Sequence, residues 1–564
     1  MSFKAIFKSI FLLALLSACN KEMPRADLII TNTDIWTGNE NQPKAAAMAI
    51  AGDMILAIGS TEQVNRFKGA TTEIIDAKNR FVVPGFIDSH VHLLMGGNAL
   101  LSVELRDANT KKDFIDRIAR YSETLAPGEW VLEGNWDHTL WGGELPKKEW
   151  IDAFTEEIPV VIYRLDGHMV LANSIALSIA GINSQRTDLA GGELVRHPDG
   201  SLTGILKGSA MTEMLNAIPP LTASQKQIAL RAASDYLLSN GVTSVHDVDS
   251  LGTYSAAKEL YDAGDLAIRI YAAKPLNRYA EVDFIIAEPL RTAAKKKLDI
   301  WLKTGLVKGF VDGSLGSHTA AFKDDYSDRT GDDGFFITKE EDLYTWISAA
   351  DKKDLQVTVH AIGDKAISTL LDIYHRIILE NGKKDRRLRM EHAQHIDPED
   401  LESFAQLGVI ASMQPYHAID DGRWAEELIG SDRIKTTYAF KSLLDNRATL
   451  AFGSDWPVAP ASPLMGIYAA TTRRTLDDKN PKGWVPEQKI TAEQGLLAYT
   501  KNAAFASFDE EIKGTLEVGK LADFVVLSDD ITKMDVFKIR EVQVLQTYVG
   551  GKKLFDSKGD VVHD

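Results

Sequence analysis

Val82-Val83-Pro84-Gly85-Phe86-Ile87-Asp88-Ser89-His90-Val91-His92 is the stretch on which the fold turns. Its apolar residues predict a buried strand, and that strand ends in two histidines two positions apart. Side chains alternate across a strand, so His90 and His92 share one face. Two imidazoles aimed together from the end of a buried strand suit one metal ion. Such a centre requires further donors at the ends of later strands.

Working outward from residues 81–88, seven more strand-like runs follow, at 241–247, 267–272, 306–312, 355–360, 388–392, 409–414 and 449–455. Several spacers between them carry helical periodicity, as residues 366–379 do. Strands alternating with helices predict an α/β fold, a (β/α)8 TIM barrel whose site lies at the C-terminal ends of the strands. Lys308 lies within the fourth run, and His360, His392 and Asp455 end the fifth, sixth and eighth. A lone histidine there is usually a core residue, but six such residues around one mouth predict a metal centre.

The interval between the first two runs is far too long for a βα connection. It predicts an inserted subdomain at about 98–235, carrying four of the ten tryptophans: Trp130, Trp136, Trp141 and Trp150. Short strands recur at both chain ends, and each end is too small to be stable alone. Residues 25–84 and 505–557 are expected to combine into one small β-sandwich domain, leaving 85–504 as the barrel.

The chain has 564 residues, 45% hydrophobic and 25% charged, which is the composition of a globular protein. A net charge of −17 disfavours nucleic acid as a partner. The one cysteine, Cys19, excludes an internal disulfide and a cysteine-based zinc site. Lys4, Lys8, the apolar run 10–16 and Leu16-Ser17-Ala18-Cys19 resemble a bacterial lipoprotein signal. That resemblance implies a signal peptide over residues 1–19, lipid attachment at Cys19 and a body anchored to the membrane in the cell envelope. Asn20 in place of Asp is compatible with the periplasmic face of the outer membrane. A plain secretory signal with an incidental cysteine is the alternative.

The order of motifs also resembles the amidohydrolase superfamily (amidohydrolase family 3), in the branch that includes N-substituted formamide deformylases. The matching segments are Pro84 to His92, Lys308 with Asp312-Gly313-Ser314-Leu315-Gly316, and His360-Ala361-Ile362-Gly363-Asp364. Glu391-His392-Ala393-Gln394, Gln414-Pro415 with His417, Gly453-Ser454-Asp455-Trp456-Pro457-Val458 and Gly514 to Asp523 complete the series. The resemblance implies two divalent ions, as Zn2+, held by His90, His92, Lys308, His360, His392 and Asp455. Lys308 would bridge them after carboxylation by CO2; the alternative is an unmodified lysine paired with Asp312 or with a substrate anion. It implies hydrolysis of an amide-type C–N bond in a small molecule, such as an N-substituted formamide or N-acyl amine, by a metal-bound hydroxide. Asp455 would be the general base and acid. Asp166 and His168 in the insert, and Gln414 and His417 after the seventh strand, would contact the substrate. Asp247 is expected to support a ligand histidine. His138, His197, His375, His395 and His563 read as loop or helix-surface residues. A deaminase or cyclic-ureide hydrolase is a second reading, which Lys308 disfavours. A non-catalytic periplasmic metal- or solute-binding lipoprotein is a third. The class admits a homodimer.

Overall fold

The structure is a computed structural model that describes residues 24–164, 169–187, 192–248, 252–282 and 293–558. Cys19 and the leader, Asp166 and His168 lie outside the described residues. Eight parallel strands form the barrel sheet: β1 (Phe86–Val91), β2 (Val242–Asp247), β3 (Arg269–Pro275), β4 (Leu302–Phe310), β5 (Gln356–Ala361), β6 (Arg389–His392), β7 (Ile410–Met413) and β8 (Thr449–Phe452). Each pairs in parallel with the next in sequence, with register shifts between β1 and β2 and between β3 and β4. Short contacts beyond β8 close the ring. Asp455 N donates to His90 O at 2.7 Å, His92 N donates to Trp456 O at 2.8 Å, and Val91 bridges Trp456 in parallel. The fold is therefore a (β/α)8 barrel with an additional β domain, and parallel strands buried on both faces explain the near-continuous apolar runs.

The first apolar run divides differently from the sequence reading. Residues 81–88 are not one barrel strand: Lys68–Pro84 belongs to another sheet, and β1 starts at Phe86. Gly85 is the crossing point. Its N–H donates to Asp523 O at 2.8 Å, and a side chain there would strike the Thr243 hydroxyl and methyl. Lys68–Pro84 pairs in parallel with Ala26–Trp36 and antiparallel with Phe524–Leu527, so both chain ends share one eight-stranded sheet. Both faces of that sheet are covered. Leu28 and Ile30 pack in one apolar cluster, and the intervening Ile29 packs in another.

Between β1 and β2 lies a four-stranded antiparallel sheet of Val161–Tyr163, Met169–Ala172, Leu202–Gly208 and Gly192–Arg196 in that spatial order. Its tryptophans serve its own interior. Trp136 is fully buried with Nε1 donating to Ile162 O at 3.0 Å, and Trp141 and Trp150 flank Phe114. The chain returns through α2 (Ala223–Ser239), opened by a capping box of Thr222 and Gln225, which packs on α1 (Leu93–Leu100) beside β1.

Candidate metal centre

His90 and His92 leave β1 as the alternation requires. Their ring centroids are 5.7 Å apart, and each Nε2 lies 3.2 Å from the same atom, Asp455 Oδ1. His90 is wholly buried, whereas the His92 side chain keeps 25% exposure. Asp455 reaches them from three residues past β8 in a left-handed backbone conformation, φ 62°. Asp88 secures that turn: its carboxylate accepts the His90 N–H at 3.1 Å, the Ser454 N–H at 2.9 Å and the Ser454 hydroxyl at 2.6 Å.

His392 ends β6, also left-handed at φ 71°, followed by Ala393 at φ 45°. That turn brings its ring to 4.8 Å from His90 and 4.4 Å from His360. Ligand atoms of His90, His392 and Asp455 all lie within 4.8 Å of one another. On β5, His360 Nε2 donates to Gly313 O at 2.9 Å, which leaves Nδ1 as its lone-pair nitrogen. Burial, then the charge of Lys308, pulls His360 down to about 3, so its ring is neutral and able to donate to a cation. Burial, reinforced by His360 and His90, likewise holds His392 well below the ordinary histidine range.

Lys308 points into the same mouth from β4, 5% exposed, with Nζ 5.0 Å from the Phe310 ring centroid. Among the described residues its ammonium has no hydrogen bond or ion pair. Burial lowers it to about 8 against the upward pull of Glu391 and Asp455. The expected alternative partner is otherwise engaged: Asp312 accepts backbone N–H groups of Ala321, Ile362 and Gly363 at 2.9–3.0 Å. Burial opposes ionisation of Asp455, but His90, His92 and His392 hold it well below the carboxylate range.

The donor set fits a cation. His90 Nδ1 lies 2.5 Å from Glu391 Oε2, so the proton belongs on Nδ1 and the lone pair on Nε2. That nitrogen and Asp455 Oδ1 lie 3.2 Å apart, close enough for one cation to take a lone pair from each. The buried His392 Nδ1 also lacks a hydrogen-bond partner among the described residues. Imidazole and carboxylate donors suit Zn and neighbouring divalent metals.

Of the expected substrate contacts, His417 Nε2 approaches Asp455 Oδ2 at 4.0 Å and has no hydrogen bond among the described residues. Gln414 is buried, with Oε1 unpartnered among the described residues and Nε2 3.4 Å from Ser412 O. Asp247 Oδ1 accepts from the Leu93 N–H at 2.9 Å and anchors the segment after β1, while Glu391 places a carboxylate on His90. One reading needs correction. His395 is not a surface residue: it is 2% exposed and bonded through Nδ1 to Thr437 Oγ1. Sequence reasoning also missed Arg389 and His246. Arg389 and Glu391 at i and i+2 within an apolar strand were the available signal, since two charges on one buried face require partners.

Residues 73–555 match the amidohydrolase family. The chain belongs to the amidohydrolase family. This amidohydrolase is 40% identical over 541 residues to "Protein LONG AFTER FAR-RED 3" of Arabidopsis thaliana, covering 94% of this chain and 92% of that one. It is 27% identical over 560 residues to "N-substituted formamide deformylase" of Arthrobacter pascens, covering 94% and 99%. At that distance the resemblance holds for the superfamily and does not single out the deformylase branch. A solved structure of an uncharacterized metal-dependent hydrolase from Pyrococcus horikoshii OT3 superposes with TM-score 0.75 at 27% identity, covering 90% of this chain and 99% of that one. Fold, family and donor set together make this amidohydrolase a metal-dependent hydrolase.

Proposed function

We propose that this amidohydrolase cleaves an amide-type C–N bond of a small molecule, such as an N-substituted formamide or N-acyl amine. His90, His92, His360, His392 and Asp455 would hold up to two divalent ions, with Lys308 as a carboxylated bridge. The observation that carries the reading is the convergence of His90, His392 and Asp455 within 4.8 Å at the barrel mouth. The 27% identity to a protein named N-substituted formamide deformylase supports the substrate class.

When bound, the metal supplies Lewis acidity, lowering the pKa of a coordinated water toward ~7 and polarising the carbonyl oxygen. The residues of the chain do the rest. Asp455, kept ionised by the imidazoles around it, takes the proton of the attacking water and delivers it to the departing nitrogen. An amine leaves poorly without that proton. His417, kept neutral by burial, is positioned to donate to the substrate oxygen, and Gln414 Oε1 offers an acceptor beside it. Lys308, lowered to about 8, holds a larger neutral fraction at physiological pH than a surface lysine, and only the neutral amine reacts with CO2. Lipid attachment at Cys19, with residence in the bacterial envelope, is part of the same proposal.

The test is metal analysis of protein purified without added metal, alongside a screen of N-formyl and N-acyl amines with detection of the freed amine. Bound divalent metal and amine release are expected. Ammonia release from a nucleobase-like substrate without amide turnover would favour the deaminase reading. Metal binding without any turnover would favour a binding protein.

A further inference from the structure

Beneath the candidate metal centre, the barrel interior is polar where branched apolar side chains usually fill it. Glu391 and Arg389 of β6 both point inward, and neither has any exposed surface. The two oxygens of Glu391 are divided. Oε1 accepts from Arg389 Nε at 2.9 Å and from the Thr358 hydroxyl of β5, while Oε2 lies 2.5 Å from His90 Nδ1. Arg389 is itself held by three other strands: Nη1 meets His246 Nδ1 at 2.9 Å, and Nη2 donates to Ser89 O at 2.6 Å and Ser412 Oγ at 3.1 Å. Ser89 and Ser412 hydroxyls lie 3.3 Å apart. β1, β2, β5, β6 and β7 are thereby tied to one carboxylate.

We infer that Glu391 is a positioning residue that fixes the Nε2 lone-pair tautomer and ring orientation of His90 toward the metal, with Arg389 as its fixed counter-charge. The inference rests on the proposed metal-binding reading and extends it to a residue outside the ligand set. Two observations separate it from a purely structural ion pair. A carboxylate serving only Arg389 would present both oxygens to the guanidinium, yet Oε2 is committed to the imidazole. His90 has no exposed surface, so water cannot supply the same acceptor. Partners of this kind on ligand histidines raise the basicity of the ring, and their removal costs 10- to 100-fold in metal affinity.

The experiment measures Co2+ affinity of the metal-stripped full chain by chelator competition, together with the visible spectrum of the cobalt-loaded protein. Glu391→Gln is expected to weaken Co2+ binding about 10- to 100-fold and to alter the cobalt spectrum. Because that change strands a buried guanidinium, Arg389→Met with Glu391→Gln is the second variant, expected to fold and to show the same loss. Thr358→Val and Ser412→Ala disturb the same network without touching His90. They are expected to lower the melting temperature and leave affinity and spectrum unchanged. Equal affinity in wild type and both Glu391 variants overturns the inference while metal binding stands, as does an equal loss in Thr358→Val. No Co2+ binding by the wild type overturns the metal reading and this inference with it.

Discussion

Asp455 Oδ1 lies 3.2 Å from two imidazole nitrogens, and exchanging Asp455 for asparagine removes its charge with little change of shape. Its left-handed backbone is one that asparagine tolerates nearly as well as aspartate. Asp455→Asn should therefore fold normally while losing the proton acceptor. Turnover of the amide substrate is expected to fall by about 10²- to 10⁴-fold with little change in melting temperature, measured by steady-state kinetics and thermal melts. A second residue-scale effect concerns pH. Burial pushes Asp421 up to about 7, opposed by the hydrogen bond it accepts from Tyr438 OH. A carboxyl raised above its unfolded value of about 3.9 favours the native state when protonated. Its stabilising contribution is therefore full below pH 4 and is lost as pH rises toward 7. Asp421→Asn should flatten that decline, so the variant gains melting temperature relative to wild type at pH 8 more than at pH 5. At this scale the histidines and Asp455 were legible because each ends an apolar run. Glu391 stood beside His392 in the same motif, but the alternation rule assigns neighbours to opposite faces and hid its role. The left-handed turn at His392 lets both residues face the barrel interior, and no sequence pattern announces it.

At the scale of elements, the barrel strands could be read because parallel strands buried on both faces are continuous apolar runs. The one misreading came where two such runs abut. Residues 81–84 and 86–91 belong to different sheets, and only the tight approach of Gly85 to Thr243 separates them. The insert was legible only as an excess of length, since its short strands pair across irregular connections without a regular period. The seam between β8 and β1 gives the sharpest test. A Cβ on Gly453 would lie 2.5 Å from His90 N and 2.9 Å from Asp88 Oδ1. Gly453→Ala must push β1 away from the turn that carries Asp455, which parts the proposed ligands as well as the seam. Overpacking of this kind costs typically 1–3 kcal/mol. The expected outcome is a melting temperature several degrees lower together with loss of bound metal, read by calorimetry and elemental analysis on the same sample. A lower melting temperature with metal content intact would separate the seam from the site.

At the scale of the whole molecule, the two chain ends are bound to the barrel at its far mouth, opposite the site. Arg269 opens β3, is 1% exposed, and is clamped by Asp523 at 2.7 and 2.9 Å; Asp523 Oδ1 also accepts the Gly550 N–H at 2.7 Å. Nearby, Lys303 at the start of β4 pairs with Asp509 at 3.0 Å, and Lys513 donates to Ser244 Oγ at 2.6 Å. Hydrophobic burial alone would let the C-terminal strands dock in more than one register. These buried charges admit one, because any slip leaves a guanidinium or ammonium in an apolar setting. Asp523→Ala removes the partner and leaves Arg269 buried, a change that typically costs 3–5 kcal/mol. The variant should unfold at markedly lower urea, as followed by circular dichroism. The strand ends that carry the site lie across the length of the barrel from this clamp, so metal content per folded molecule should stay at the wild-type value. A clamp that mattered only locally would instead release the C-terminal strands and leave the barrel transition in place. Two separated transitions in the urea curve would then replace the single cooperative one expected here, because Lys68–Pro84 carries the terminal sheet directly into β1.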